Sequence, residues 1–204
     1  LNGGKFAGGV LRLNEVEDFS TLYPLNITNE VNQHIANQMY EGLVRLSQVD
    51  LSVVPAIAES WQVNEDATVW TFHIRKNVKF HDDECFGGTG TGREVTAKDI
   101  KWSFDNLCTS STNNQWYNIT FKKRVKGADE YYQSTKDKKP LGGGVSGVKV
   151  LDDYTIEITL NNSFSGFLNL LATPGAFIFP KEAFDKYGED GLRTKAIGTG
   201  AFVL

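Results

Sequence analysis

Val69-Trp70-Thr71-Phe72-His73-Ile74-Arg75-Lys76-Asn77-Val78-Lys79-Phe80-His81-Asp82 carries the strongest β signal in the chain. From Val69 to Arg75 the residues alternate, so Trp70, Phe72 and Ile74 share one face of a half-buried strand. Asn77 is a turn residue, and Val78 and Phe80 then alternate with Lys79 and His81. The stretch therefore predicts a hairpin. Downstream, Val148 to Leu160 reads as two strands around Asp152-Asp153, with Tyr154, Ile156, Ile158 and Leu160 on one face. Pro55 to Trp61 reads as a turn into a strand. Upstream, residues 9–14 alternate as a strand does.

Helical spacing fills the intervals. Val31, Ile35 and Met39 recur every four residues, with Thr28 or Asn29 as the cap and Gly42 as the stop. Thr96 to Asp99 reads as a capping box with Asp in place of Glu, opening a helix whose face is Ile100, Phe104 and Leu107. Residues 120–139 and 164–171 also read as helical. Pro180 to Gly188 is a short helix with Pro near its start and Gly after its end. Residues 87–92 and 140–147 are glycine-rich breaks, and 109–119 is a polar loop holding Trp116 and Tyr117. The element order is mixed α and β, without regular βαβ alternation and without an internal repeat.

With 204 residues, 40% apolar and 12% aromatic, the composition is that of an ordered globular protein. The net charge of −4 comes from mixed signs, and no basic stripe marks a nucleic-acid surface. Apolar runs are far shorter than a membrane span. The chain opens on Leu1 with no signal peptide. It closes on Gly198 to Leu204, which reads as the start of a strand. Both ends predict a processed or cut piece of a longer protein.

The chemistry-bearing residues mostly exclude. The loop Gly87-Gly88-Thr89-Gly90-Thr91-Gly92 runs into Arg93-Glu94, so it is no phosphate-binding loop, and no helix opens at its last glycine. His73 and His81, on polar faces of adjacent predicted strands, together with Asp82, Asp83, Glu84 and Cys85, raise a metal site. The ligand spacings that would support one are absent. The three histidines, His34, His73 and His81, sit in no nucleophile motif. Trp116 and Tyr117, in a polar loop, suit either the wall of a ligand cleft or a satellite cluster under the loop. Cys85 and Cys108 read as buried thiols in a reducing compartment and as a pair in an oxidising one.

From Trp70 to Asp82, and again at Val95-Thr96-Ala97-Lys98-Asp99-Ile100-Lys101-Trp102-Ser103-Phe104, the chain resembles bacterial extracellular solute-binding proteins of family 5. These are the dipeptide-, oligopeptide- and nickel-binding components of ABC importers. Further collinear blocks are Tyr40 to Val44, Pro55 to Trp61, Val148 to Ile158, Phe179 to Lys181 and Ile197 to Phe202. The resemblance implies a type II periplasmic binding protein fold of mixed α and β. It places residues 1–41 and 162–204 in lobe I and 42–161 in an inserted subdomain, with the second lobe outside this chain. It implies no enzymatic activity and no cofactor. The expected protein is an extracytoplasmic monomer, its signal removed, in a lipid-anchored or free periplasmic form. It would capture a peptide for the transmembrane permease subunits of an ABC transporter, with an oligosaccharide or a nickel or metal chelate as alternatives. The ligand contacts carried over are Thr28, Asn29 and Glu30, before and at a helix N-terminus, and Trp116, with Tyr117 beside it. Export implies a Cys85–Cys108 disulfide.

Overall fold

The computed structural model describes residues 8–88, 90–111 and 114–204. Leu1 to Gly4, Thr89 of the glycine-rich loop, and Thr112 and Asn113 of the polar loop lie outside them.

A four-stranded antiparallel sheet is built around the stretch quoted first. The strands β3 (Ala58–Val63), β4 (Val69–Ile74), β5 (Val148–Asp152) and β6 (Thr155–Thr159) lie in the order β3-β4-β6-β5. The predicted alternation of β4 holds: Trp70, Phe72 and Ile74 are buried, and Trp70 and Phe72 pair with Ile158 and Ile156 of β6. The β5–β6 turn closes where predicted, as the Asp152 carboxylate accepts from Tyr154 N–H at 2.7 Å.

The hairpin over 69–81 does not form. Asn77 turns the chain with a φ of 62°, but both edges of β4 are already taken by β3 and β6. The chain after Asn77 pairs instead with residues 93–95, through Phe80 N–H to Arg93 O at 3.0 Å and Val95 N–H to Val78 O at 2.8 Å. Residues 9–14 form no strand either. Val10, Leu11 and Leu13 are exposed, and this segment flanks residues 201–204 across an apolar groove floored by Phe19, Ile35 and Met39.

Helix α2 (Ala97–Leu107) covers the sheet, with Ile100, Phe104 and Leu107 fully buried. Its first turn is held as the capping pattern predicts: the Asp99 carboxylate accepts from Thr96 N–H at 2.8 Å. The same carboxylate takes the Arg93 guanidinium at 2.6 and 2.9 Å. Arg93 also grips Glu182 at 2.7 Å through two nitrogens, tying α2 to α6 (Lys181–Leu192). Helix α6 runs beyond its predicted end, kinked at Gly188 with a φ of 63°.

Helix α1 (Glu30–Met39) forms with Val31 and Met39 buried as predicted, while Ile35 is half-buried and lines the apolar groove. The strands β1 (Val44–Leu46) and β2 (Val53–Pro55) make a separate pair. Helix α5 (Phe167–Leu171) packs against β1. The predicted helix over 120–139 shrinks to α4 (Ala128–Lys136), preceded by the single turn α3 (Trp116–Ile119). Residues 121–127 are diverted because Val125 bridges Leu160 at the end of β6, which takes Lys123 and Gly127 to positive φ. One continuous hydrophobic core runs from Leu22 to Ile197 through all these elements.

The expected Cys85–Cys108 disulfide is absent, and both thiols are free. A bridge needs Cα atoms about 5–6 Å apart. Cys108 caps the C-terminal end of α2, whereas Cys85 neighbours Glu182 and so lies by the Arg93–Asp99 contact at the opposite end. Eleven helical residues, about 16 Å, separate those ends.

Candidate functional site

The loop ahead of α1 is fixed from beneath. Pro24–Asn26 forms a turn of 3-10 helix that packs on a second, Pro174–Ala176. Ile27 then buries its side chain, and Thr28, Asn29 and Glu30 emerge exposed. Asn29 caps the helix, its side-chain Oδ1 accepting from Asn32 N–H at 2.8 Å. The first intrahelical bond runs from Gln33 N–H to Asn29 O at 3.2 Å. Helix geometry therefore directs the N–H groups of Glu30 and Val31 outward from the helix start. Asn32 is buried and ties the preceding segment to α1, accepting Ser20 N–H at 2.9 Å and donating to Ser20 Oγ at 3.0 Å.

Trp116 joins this loop from the far side of the sequence. Its indole Nε1 donates to Ile27 O at 2.9 Å. Gly175 lies against the ring so closely that an added Cβ would sit 2.4 Å from Trp116 Cβ. Trp116 as a whole is half-buried, and its bond to Ile27 O sets it next to the residue that precedes Thr28.

The structure removes Tyr117 from this set. Consecutive helical residues point about 100° apart, and on α3 this turns Tyr117 into the core. There it stacks on Tyr132, with ring centroids 4.1 Å apart, and donates its hydroxyl to Asp129. The two histidines raised for a metal also stay apart. His73 pairs across β4 with Ser60 and Thr155, while His81 Nε2 meets Gly200 O at 2.7 Å. Among the described residues no group of three His, Cys, Asp or Glu side chains converges on one point.

A polar cleft of about 350 Å³ adjoins Thr28, lined by Asn26, Gln115, Glu189, Asp190 and Arg193 with Ser20 and Thr21. Burial and the neighbouring Asp190 push the Glu189 carboxyl upward. Arg193 anchors one wall, donating to Ser20 O at 3.3 and 3.4 Å. Sequence reasoning missed this cleft because its walls come from residues 20–28, 115 and 189–193, and no local pattern links them. The arrangement brings together outward N–H groups at the start of α1, a half-buried indole held on Ile27 O and a polar recess beside Thr28.

Residues 52–204 match the family model described as bacterial extracellular solute-binding proteins, family 5 Middle. The chain is 33% identical over 192 residues to the periplasmic oligopeptide-binding protein OppA of Escherichia coli K12, covering 94% of this chain and 32% of that protein. It is 33% identical over 173 residues to heme-binding protein A of Haemophilus influenzae, covering 83% and 29% respectively. Among solved structures, the substrate-binding domain of an oligopeptide ABC transporter from Bacillus anthracis superposes with a TM-score of 0.77 at 28% identity. That match covers 94% of this chain and 34% of the other. The chain thus spans about a third of the length of the relatives it matches.

Proposed function

This chain belongs to the bacterial extracellular solute-binding proteins of family 5, which are not enzymes, and from that membership we propose that it supplies one wall of a peptide-binding cleft serving an ABC importer. The reading places residues 1–41 and 162–204 in lobe I of a type II binding protein and 42–161 in its inserted subdomain. The opposing lobe comes from the rest of a longer chain. The protein works outside the cytoplasm and hands its ligand to the transmembrane permease subunits.

The observation that carries the reading is the pairing of the Thr28–Glu30 loop with Trp116. An extended peptide presents backbone carbonyls at regular intervals, and outward N–H groups at a helix start suit them. Trp116, held by Ile27 O, offers a rigid face to a side chain whatever its chemistry. Such a wall fixes the ligand backbone and tolerates varied sequences.

Calorimetry on the full-length protein tests this. Short peptides bind, and Trp116→Ala raises Kd about tenfold or more, in the range of an aromatic anchor. The name of one relative, heme-binding protein A, makes heme the informative competitor. Binding of heme with no binding of any peptide would overturn the reading.

A further inference from the structure

Residues 122–139 hold seven of the chain's 21 basic side chains and three of its 25 acidic ones. The segment is net +4 in a chain of net −4, leaving −8 for the remainder. Helix α4 is its centre. The inner face of the helix is committed to the fold, with Ala128 buried, Tyr132 stacked on Tyr117, and Thr135 Oγ1 accepting Ser110 N–H at 2.9 Å.

The outside is a field of lysines. Lys122, Lys123, Lys126, Lys136, Lys138 and Lys139 are all exposed. Among the described residues none of the six meets a carboxylate, whereas Lys98, Lys101, Lys149, Lys181 and Lys186 each lie within 3.2 Å of one. Two of the segment's acids face neutral partners. Asp129 accepts from the Tyr117 hydroxyl and Lys123 N–H, and Asp137 from the Gln133 amide at 3.0 Å. The turns that bracket α4 each hold a lysine in the left-handed region, Lys123 at φ 61° and Lys138 at φ 57°. Glycine or asparagine would suit those positions at lower cost. Beside each turn an aliphatic side chain stands out: Ile119 is 49% exposed and Leu141 51%.

We propose that α4 and the lysine-bearing segments that bracket it rest on an anionic lipid surface. The lysines would neutralise headgroup phosphates, and Ile119 and Leu141 would enter the acyl boundary. The composition favours lipid over an acidic protein. Protein interfaces concentrate arginine and aromatics and deplete lysine, and here the one arginine, Arg124, is folded back. It donates to Ile119 O at 2.9 Å and to Thr120 O at 3.3 Å, and lies over the Phe164 ring. Exposed lysines without a carboxylate partner match a fluid array of phosphates, which has no fixed geometry to meet. The contact would hold the protein near the membrane and is independent of which solute the cleft takes.

The test is co-sedimentation of the full-length protein, without any attached lipid, with vesicles of phosphatidylglycerol mixed with phosphatidylcholine or of phosphatidylcholine alone. Binding is expected only to the anionic vesicles, weakening as salt rises. Lys123→Asn and Lys138→Asn each lower the partition coefficient about fivefold. Asparagine tolerates the left-handed backbone, so the melting temperature stays unchanged. Ile119→Ser and Leu141→Ser weaken binding while leaving its salt dependence intact. Solute affinity is the same in all four variants, which separates this proposal from the cleft. No binding to the anionic vesicles, equal binding to both kinds, or binding indifferent to the two lysine substitutions would overturn it. Capture of a polyanionic protein without vesicle binding would assign the face to a protein partner instead.

Discussion

Arg93 is the residue on which three segments converge. Its guanidinium spans the carboxylates of Asp99 and Glu182 and lies over the rings of Phe80 and Phe86 at 5.3 and 5.5 Å. The two carboxylates differ in exposure: the Asp99 side chain is 6% exposed and that of Glu182 40%. The bond to Arg93 holds the Glu182 carboxyl below its ordinary value of 4.5. A carboxylate depressed in the folded state contributes stability above its ordinary pKa and loses it as pH falls through the lowered one. Glu182→Gln should therefore cost no more than about 1 kcal/mol at neutral pH, given its exposure, and nothing in strong acid. Urea midpoints measured across the acid range check this; a loss that persisted in strong acid would contradict it. Arg93→Met should cost about 3 kcal/mol at neutral pH, because Asp99 is then left buried without its cation.

At the scale of elements, local pattern and tertiary choice separate cleanly. The face of β4 was legible because a period of two states which residues turn inward. Its partner was not, since the pattern of Val78 to His81 suits any strand, and β3 and β6 occupy both edges of β4. Caps were legible as well, because Asn29 and the Thr96–Asp99 pair act over three residues. The Thr96 hydroxyl adds a hydrogen bond of 3.1 Å to the same Asp99 oxygen. Thr96→Ala is expected to lower stability by about 1 kcal/mol, read as a lower thermal midpoint with unchanged far-UV circular dichroism. A neutral result would place the whole capping function on Asp99. The helix expected over 120–139 failed for a long-range reason, the bridge of Val125 to Leu160. Of the site residues, Thr28 to Glu30 and Trp116 come together, while Tyr117 parts from its neighbour through a helical rotation that reading the segment as a loop could not reveal.

At the scale of the molecule, one core links the first described helix to the last, so no disulfide is needed to hold Cys85 and Cys108 in place. Burial and Asp83 push the Cys85 thiol up to about 12, and burial raises that of Cys108 well above its ordinary value. Thiols held protonated are poor nucleophiles. Thiol titration of the native, unreduced protein should thus be slow at both sites and should give two equivalents once it is unfolded. Zero equivalents in denaturant would restore the disulfide that the family resemblance implied. That resemblance was legible in short collinear blocks, most of which are core strands, caps and turns. The polar cleft beside Thr28 was illegible because it exists only once segments from both ends of the chain meet.

The placement of Trp116 has an optical consequence. Of the four tryptophans, Trp70 is buried in the sheet core, Trp61 lies along an edge strand against Phe72, and Trp102 is wedged between Phe179 and Phe184. Trp116 is half-buried, with its Nε1–H fixed on Ile27 O next to the Thr28–Glu30 loop. Its emission is the one that a solute entering beside Thr28 would shift. On the proposed assignment of the cleft wall, the protein carries its own fluorophore beside the ligand, and a binding curve can be drawn from it without a label.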